Sequence, residues 1–110
     1  MKKEYNFEPA TPERQKRARI VAVEARRNRQ AFKKRIKAGE FSVRGAIEYA
    51  RTDKQLGRLY VNEFLRAFPS IGHVKARAAM ESCGIIEKRR VSGLSDKRVA
   101  LLEKWFADRS

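Results

Sequence analysis

The stretch Phe68-Pro69-Ser70-Ile71-Gly72-His73-Val74-Lys75-Ala76 constrains the fold more than any other part of the chain. An apolar-patterned segment with helical spacing, Leu59 to Phe68, runs into Pro69, whose ring cannot continue a helix. Gly72 permits a tight turn with backbone amides exposed. A new helix is predicted to begin at about His73, with Val74 and Ala78 on its apolar side and Lys75 on a polar face. Two helices must therefore meet at a corner. The first N–H groups of a helix lack intrahelical acceptors, and a lysine in the first turn adds a full charge, which together make an anion site. With a formal net charge of +14, the anion expected there is nucleic-acid phosphate.

A chain of 110 residues suits one small domain. Its 27 basic residues against 13 acidic ones predict salt-dependent binding to a polyanion. An anionic membrane is the competing surface, but no strongly apolar helix face is present to insert. The longest purely apolar runs, Ile20 to Val23 and Val99 to Leu102, are four residues each, too short for a transmembrane helix. No apolar signal region follows Lys2 and Lys3, so a cytoplasmic location is expected. Cys83 and His73 are the single cysteine and histidine. They cannot form an internal disulfide or a Cys/His zinc site, and a catalytic triad is disfavoured. No metal, cofactor or catalytic residue is expected, and Cys83 should be a buried, inert thiol.

In chain order, residues 1–10 are charged and aperiodic and are predicted to be flexible. Residues 11–39 form one long basic helix. Thr11 caps it, Pro12 suits its first position, Glu13 suits its positive end, and Gly39 stops it. Its length would be about 40 Å at 1.5 Å per residue. Met1 to Glu40 holds 13 Lys/Arg and 5 Asp/Glu, too few acids to neutralise the bases. Arg26, Arg27, Lys33 and Lys34 are therefore candidate contacts to the polyanion. The sparse apolar positions Ile20, Val23, Phe32 and Ile36 are expected to pin part of this helix to a core.

Residues 40–110 are read as a helical domain. Ser42 caps a helix over Val43 to Arg51. Thr52-Asp53 opens a short helical segment that breaks near Gly57. A helix from Leu59 to Ala67 precedes the corner, and His73 to Ser82 follows it, closed by Gly84. Ile85 to Val91 is a second turn, anchored by Ile85 and Val91, with Lys88, Arg89 and Arg90 facing out. Ser95 caps a last helix, Asp96 to Ala107, with Val99, Leu102 and Phe106 inward and Trp105 in or over the core. No β-pattern, repeat or sustained heptad seam is found, so an all-α monomer is expected.

Two helices joined by two successive turns, over about residues 59–92, make a helix-two-turns-helix element. The stretch PSIGHVKARAAMESCGIIEKRRVSGL resembles this element in the actinobacterial integration host factor family. TPERQKRARIVAVEARRNRQAFKKRIKAGEFS and LGRLYVNEFLRAFPSIG are similar to the same family's basic first helix and middle section. The resemblance covers about residues 9–107. It implies an all-α, nucleoid-associated protein that binds and bends duplex DNA with little sequence preference and assists phage-type site-specific recombination, with a phage integrase complex as a further candidate partner. By that resemblance Ser70, Ile71, Gly72, His73 and Lys75 approach the DNA backbone, and Arg89 and Arg90 meet the sugar-phosphate edge or minor groove. Relatives usually carry Gly at Ser70, a basic residue at His73 and Arg at Ser92. Ser70 leaves open whether that position is left-handed, and the other two changes weaken the local charge. No side chains form a recognisable base-reading surface, so backbone and shape recognition is expected.

Three other functions compete, of which a protein-interaction helix bundle leaves the net charge of +14 unused. A small-subunit ribosomal protein contains the same element, which makes an RNA-binding, ribosome-associated role the alternative, although its long basic Gly-rich tail is missing here. Glycosylase-lyases also contain the corner, but Met1-Lys2-Lys3-Glu4 offers no N-terminal proline nucleophile, so an enzyme is not expected.

Overall fold

The computed structural model describes residues 12–109. The expectations for residues 1–10 and for the Thr11 cap lie outside them. Six α-helices are arranged in the order α1 (Pro12–Lys37), α2 (Val43–Arg51), α3 (Lys54–Gly57), α4 (Val61–Leu65), α5 (His73–Ser82) and α6 (Asp96–Ala107), with a 3₁₀ turn at Val91–Gly93 before α6. The caps explain most boundaries. Ser42 Oγ accepts from the Gly45 amide, Asp53 from the amides of Gln55 and Leu56, and Ser95 Oγ from the Arg98 amide, each satisfying a donor that the helix itself cannot. α5 ends where Gly84, at φ +67°, turns the chain left-handed. Its amide bonds Glu81 O at 3.2 Å while the Ile85 amide bonds Met80 O at 2.9 Å, which satisfies the last carbonyls and delivers buried Ile85 to the core.

α2 packs against α3, α6 and the 3₁₀ turn, α1 lies on α3, and α5 packs on α4 and α6. The core takes Val43, Ala46, Ile47 and Ala50 from α2, Val61, Phe64 and Leu65 from α4, and Val99, Leu102 and Trp105 from α6. Phe106 is only partly buried against it. A chain of rings crosses the core: Phe32 stands 6.2 Å from Phe64, Phe64 5.3 Å from Phe68, and Phe68 5.0 Å from Phe106. It links α1 through α4 to the corner and on to α6.

Three expectations are corrected. Only Phe32 and Ile36 of α1 are buried. Ile20 and Val23 are 50% and 36% exposed, because at 3.6 residues per turn they stand on the side of α1 opposite the buried Phe32 and Ile36; α1 also outruns the domain, giving a molecule of 60 × 29 × 24 Å. In α5 the buried residues are Ala76, Ala79 and Met80, and Val74 is 79% exposed; the helix is rotated from the predicted face. α4 is shorter than predicted. Leu59 O accepts from the Val91 amide and the Val61 amide donates to Arg89 O, both at 2.9 Å. This isolated antiparallel bridge between Tyr60 and Arg90 takes the backbone groups that a longer helix would have used.

Candidate nucleic-acid interface

The corner is built by a run of tight turns. After α4 the amides of Ala67, Phe68 and Ile71 bond to Phe64 O, Leu65 O and Phe68 O at 3.1–3.2 Å. Ser70 then stands at φ +65°, the sole non-glycine residue with positive φ among those described. Gly72 takes an ordinary extended conformation, φ −92° and ψ −169°. The reversal is therefore made by Ser70, and the expectation that Gly72 makes it is corrected. Ile71 turns its side chain toward the core and its amide to Phe68 O, so it supports the loop from beneath.

Gly72 has a different use. It is the N-cap of α5 and supplies no side-chain acceptor, and a Cβ placed there would meet nothing within 4 Å. The first backbone bond at this end of α5 runs from the Ala76 amide to Gly72 O at 3.0 Å. The amides of His73, Val74 and Lys75 are left to an outside acceptor, at the positive end of the helix dipole. Lys75 is exposed and has no side-chain partner among the described residues. Beside it a hollow of about 480 Å³ is shared by Pro69, Ser70, Lys75, Arg109 and the carboxylate of Asp108. Arg109 lies 4.0 Å over the Trp105 ring, so α6 brings to the corner a cation that sequence reasoning missed.

The strain at Ser70 yields an expected result. A left-handed non-glycine residue costs roughly 1 kcal/mol. Ser70→Gly should raise stability by about that much, less the added freedom of glycine in the unfolded chain. Denaturant titration measures it, and a loss of stability would contradict the strained assignment.

The second turn lies at the far end of α5, about 15 Å away for ten residues. Its two arginines differ. Arg89 lies across Gly93, where an added Cβ would stand 3.2 Å from its Cδ, and it has no carboxylate partner among the described residues. Arg90 is folded back: its guanidinium donates to Arg58 O at 2.6 Å and Tyr60 Oη at 3.2 Å, and sits 4.5 Å over the Tyr60 ring. Its charge remains uncompensated, but its position is fixed. Ser92 stands against Gly57, where a Cβ would come within 3.1 Å of its own. Between the two turns a cleft of about 660 Å³ is lined by Arg66, Arg77 and Lys88 with Tyr60 and His73, but also by the carboxylates of Glu63, Glu81 and Glu87, so it is mixed in charge. Arg66 and Arg77 are further cations missed from sequence, since neither sits in a recognisable motif.

α1 is the third basic element. Arg26, Arg27 and Lys34 are exposed and unpaired among the described residues. Lys33 is half-buried and paired with Glu63 of α4, so this charge ties α1 to the domain rather than standing free. Asn28 adds a second tie, donating to Asp53 at 3.0 Å and Gln55 at 2.9 Å. The Asn28 bond, with the amides of Leu56 and Gln55, holds the Asp53 carboxyl below its ordinary range. Burial pushes the Cys83 thiol up, toward its unreactive form.

The sequence model of the S13-like H2TH domain matches residues 36–106, which defines the class: a helix-two-turns-helix protein. Three curated relatives are each described as an integration host factor. That of Streptomyces coelicolor is 37% identical over 98 residues, covering 89% of this chain and 92% of the relative. That of Mycolicibacterium smegmatis is 40% identical over 96 residues, covering 86% and 91%. That of Mycobacterium tuberculosis is 38% identical over 96 residues, also covering 86% and 91%. The solved structure of sIHF bound to an 8-base-pair palindromic DNA superposes with a TM-score of 0.74 at 36% identity, over 78% of this chain and 97% of that one. The chain belongs to the actinobacterial integration host factor family.

Proposed function

We propose that this chain is a non-catalytic, nucleoid-associated protein that binds duplex DNA largely through its backbone and bends it, serving chromosome organisation and site-specific recombination. The observation that carries this reading is the uncapped start of α5: three free amides beside Lys75, in a chain of net charge +14. A related chain of the same fold binds a DNA duplex. The relatives' description as integration host factors favours duplex DNA over ribosomal RNA, and competition between the two polymers separates the readings.

In this account phosphates of one strand meet Ser70, Gly72, His73 and Lys75. Arg89 and Arg90 approach the sugar-phosphate edge at the minor groove. Arg26, Arg27 and Lys34 of α1 grip a separate stretch of the same duplex. Lys33 contributes indirectly, by fixing α1. A straight duplex cannot follow both surfaces, so the DNA must curve. A moderate bend costs on the order of 1–6 kcal/mol, which several phosphate contacts offset. The protein acts as a monomer, in complexes that include an integrase.

Neutralising about five phosphates gives a log–log salt slope near −4.5. Arg89→Ala should weaken binding on every sequence and reduce the slope by about one. Arg90→Ala should do the same and also lower stability, since it removes the bonds to Arg58 and Tyr60. Filter binding across a salt series, with thermal melts, tests both; unchanged affinity in the double variant removes the second turn from the interface.

A further inference from the structure

At 3.6 residues per turn, Lys16, Ile20, Val23, Arg27 and Lys34 fall on one side of α1. Phe32 and Ile36, which enter the core, lie near the opposite side. The stripe thus points away from the domain, and its two aliphatic side chains stay exposed at 50% and 36%. A second copy is a poor occupant. Parallel pairing about the aliphatic pair would set Lys16, Arg27 and Lys34 each against its own copy, and antiparallel pairing would set Lys16 against Arg27; either opposes association. A nucleic-acid groove offers both complements: phosphates on its walls for the cations, and an apolar group on its floor. A helix about 10–12 Å across enters the major groove, about 12 Å wide, but not the minor groove, about 6 Å wide. The apolar group presented in the major groove is the thymine C5-methyl.

We propose that α1 enters the major groove by this stripe and that Ile20 and Val23 pack on thymine methyl groups, giving the protein a preference for thymine beneath the helix. The proposal rests on the DNA-binding reading above and adds a base-edge contact to it. The test uses the full chain and two duplexes identical except that deoxyuridine replaces thymidine, which removes only the methyl groups. Each methyl buried contributes about fourfold in affinity. Wild type should bind the uracil duplex roughly 4- to 15-fold more weakly, for one or two methyls covered. Ile20→Ala with Val23→Ala should bind both duplexes alike, at the weaker value. Both positions are exposed, so helical circular dichroism and Tm should be retained. Equal binding of the two duplexes by wild type overturns the proposal and leaves DNA binding standing. Discrimination kept by the variant overturns the assignment to Ile20 and Val23. Binding to neither duplex overturns both the proposal and the reading beneath it.

Discussion

Gly72→Asp is expected to weaken duplex-DNA binding by tenfold or more while leaving the protein as stable as before, or slightly more so. The two effects have opposite signs because they share one set of amides. Aspartate is a preferred N-cap, and Gly72 already has the extended φ and ψ that a cap requires. A Cβ there meets nothing, so the substitution fits without rearrangement. The new carboxylate accepts the amides at the start of α5 and favours the positive helix end, worth a few tenths to about 1 kcal/mol. It then occupies, with a negative charge, the place proposed for a phosphate. Losing a charge-assisted hydrogen bond alone costs about 1.5–3 kcal/mol of binding. Gly72→Asn separates the parts, since it caps without charge and should fall between wild type and Gly72→Asp. Wild-type affinity in Gly72→Asp would move the anion site away from α5.

The second large effect concerns the core. Phe64→Ala should destabilise the domain by about 3–5 kcal/mol, within the range for deleting a buried phenylalanine side chain. Phe64 is fully buried and is the middle member of the ring chain from Phe32 to Phe68. At about 4–8 °C per kcal/mol for a domain of this size, Tm should fall by at least about 12 °C. Its consequence for function is specific. The ring chain fixes α1 against the corner, so variant protein kept folded at low temperature should lose DNA bending before it loses binding. A Tm change of only a few degrees would show that the rings are not what holds the two basic surfaces in register.

The sequence makes the punctuation of this fold legible. Ser42, Asp53 and Ser95 open helices and Gly84 closes one, because each acts on its own neighbours. The patterned apolar residues of α2 and α4 are buried as periodicity predicts, as are Val99 and Leu102 of α6, whereas Phe106, also expected inward, is only partly buried. What failed depended on partners distant in the chain. Ile20 and Val23 are apolar, but they lie on the side of α1 opposite Phe32 and Ile36, the residues by which α1 enters the core. Val74 is apolar yet exposed, because α5 is oriented by Ala76, Ala79 and Met80. α4 is cut short by its bridge to residues thirty positions away. The same limit applies to the candidate interface. A count of charges does not distinguish Lys33, paired with Glu63, from Lys34, or Arg90, stacked on Tyr60, from Arg89. Nor does it reveal that the strained residue of the corner is Ser70 rather than its neighbouring glycine.

Energy transfer between dyes at the two ends of a short duplex, read at saturating protein, tests the two-surface account most directly. The account predicts that the ends draw together, and that charge reversal at Arg26, Arg27 and Lys34 restores the longer distance while the corner still binds. An end-to-end distance equal to that of free, straight DNA at saturation would contradict it.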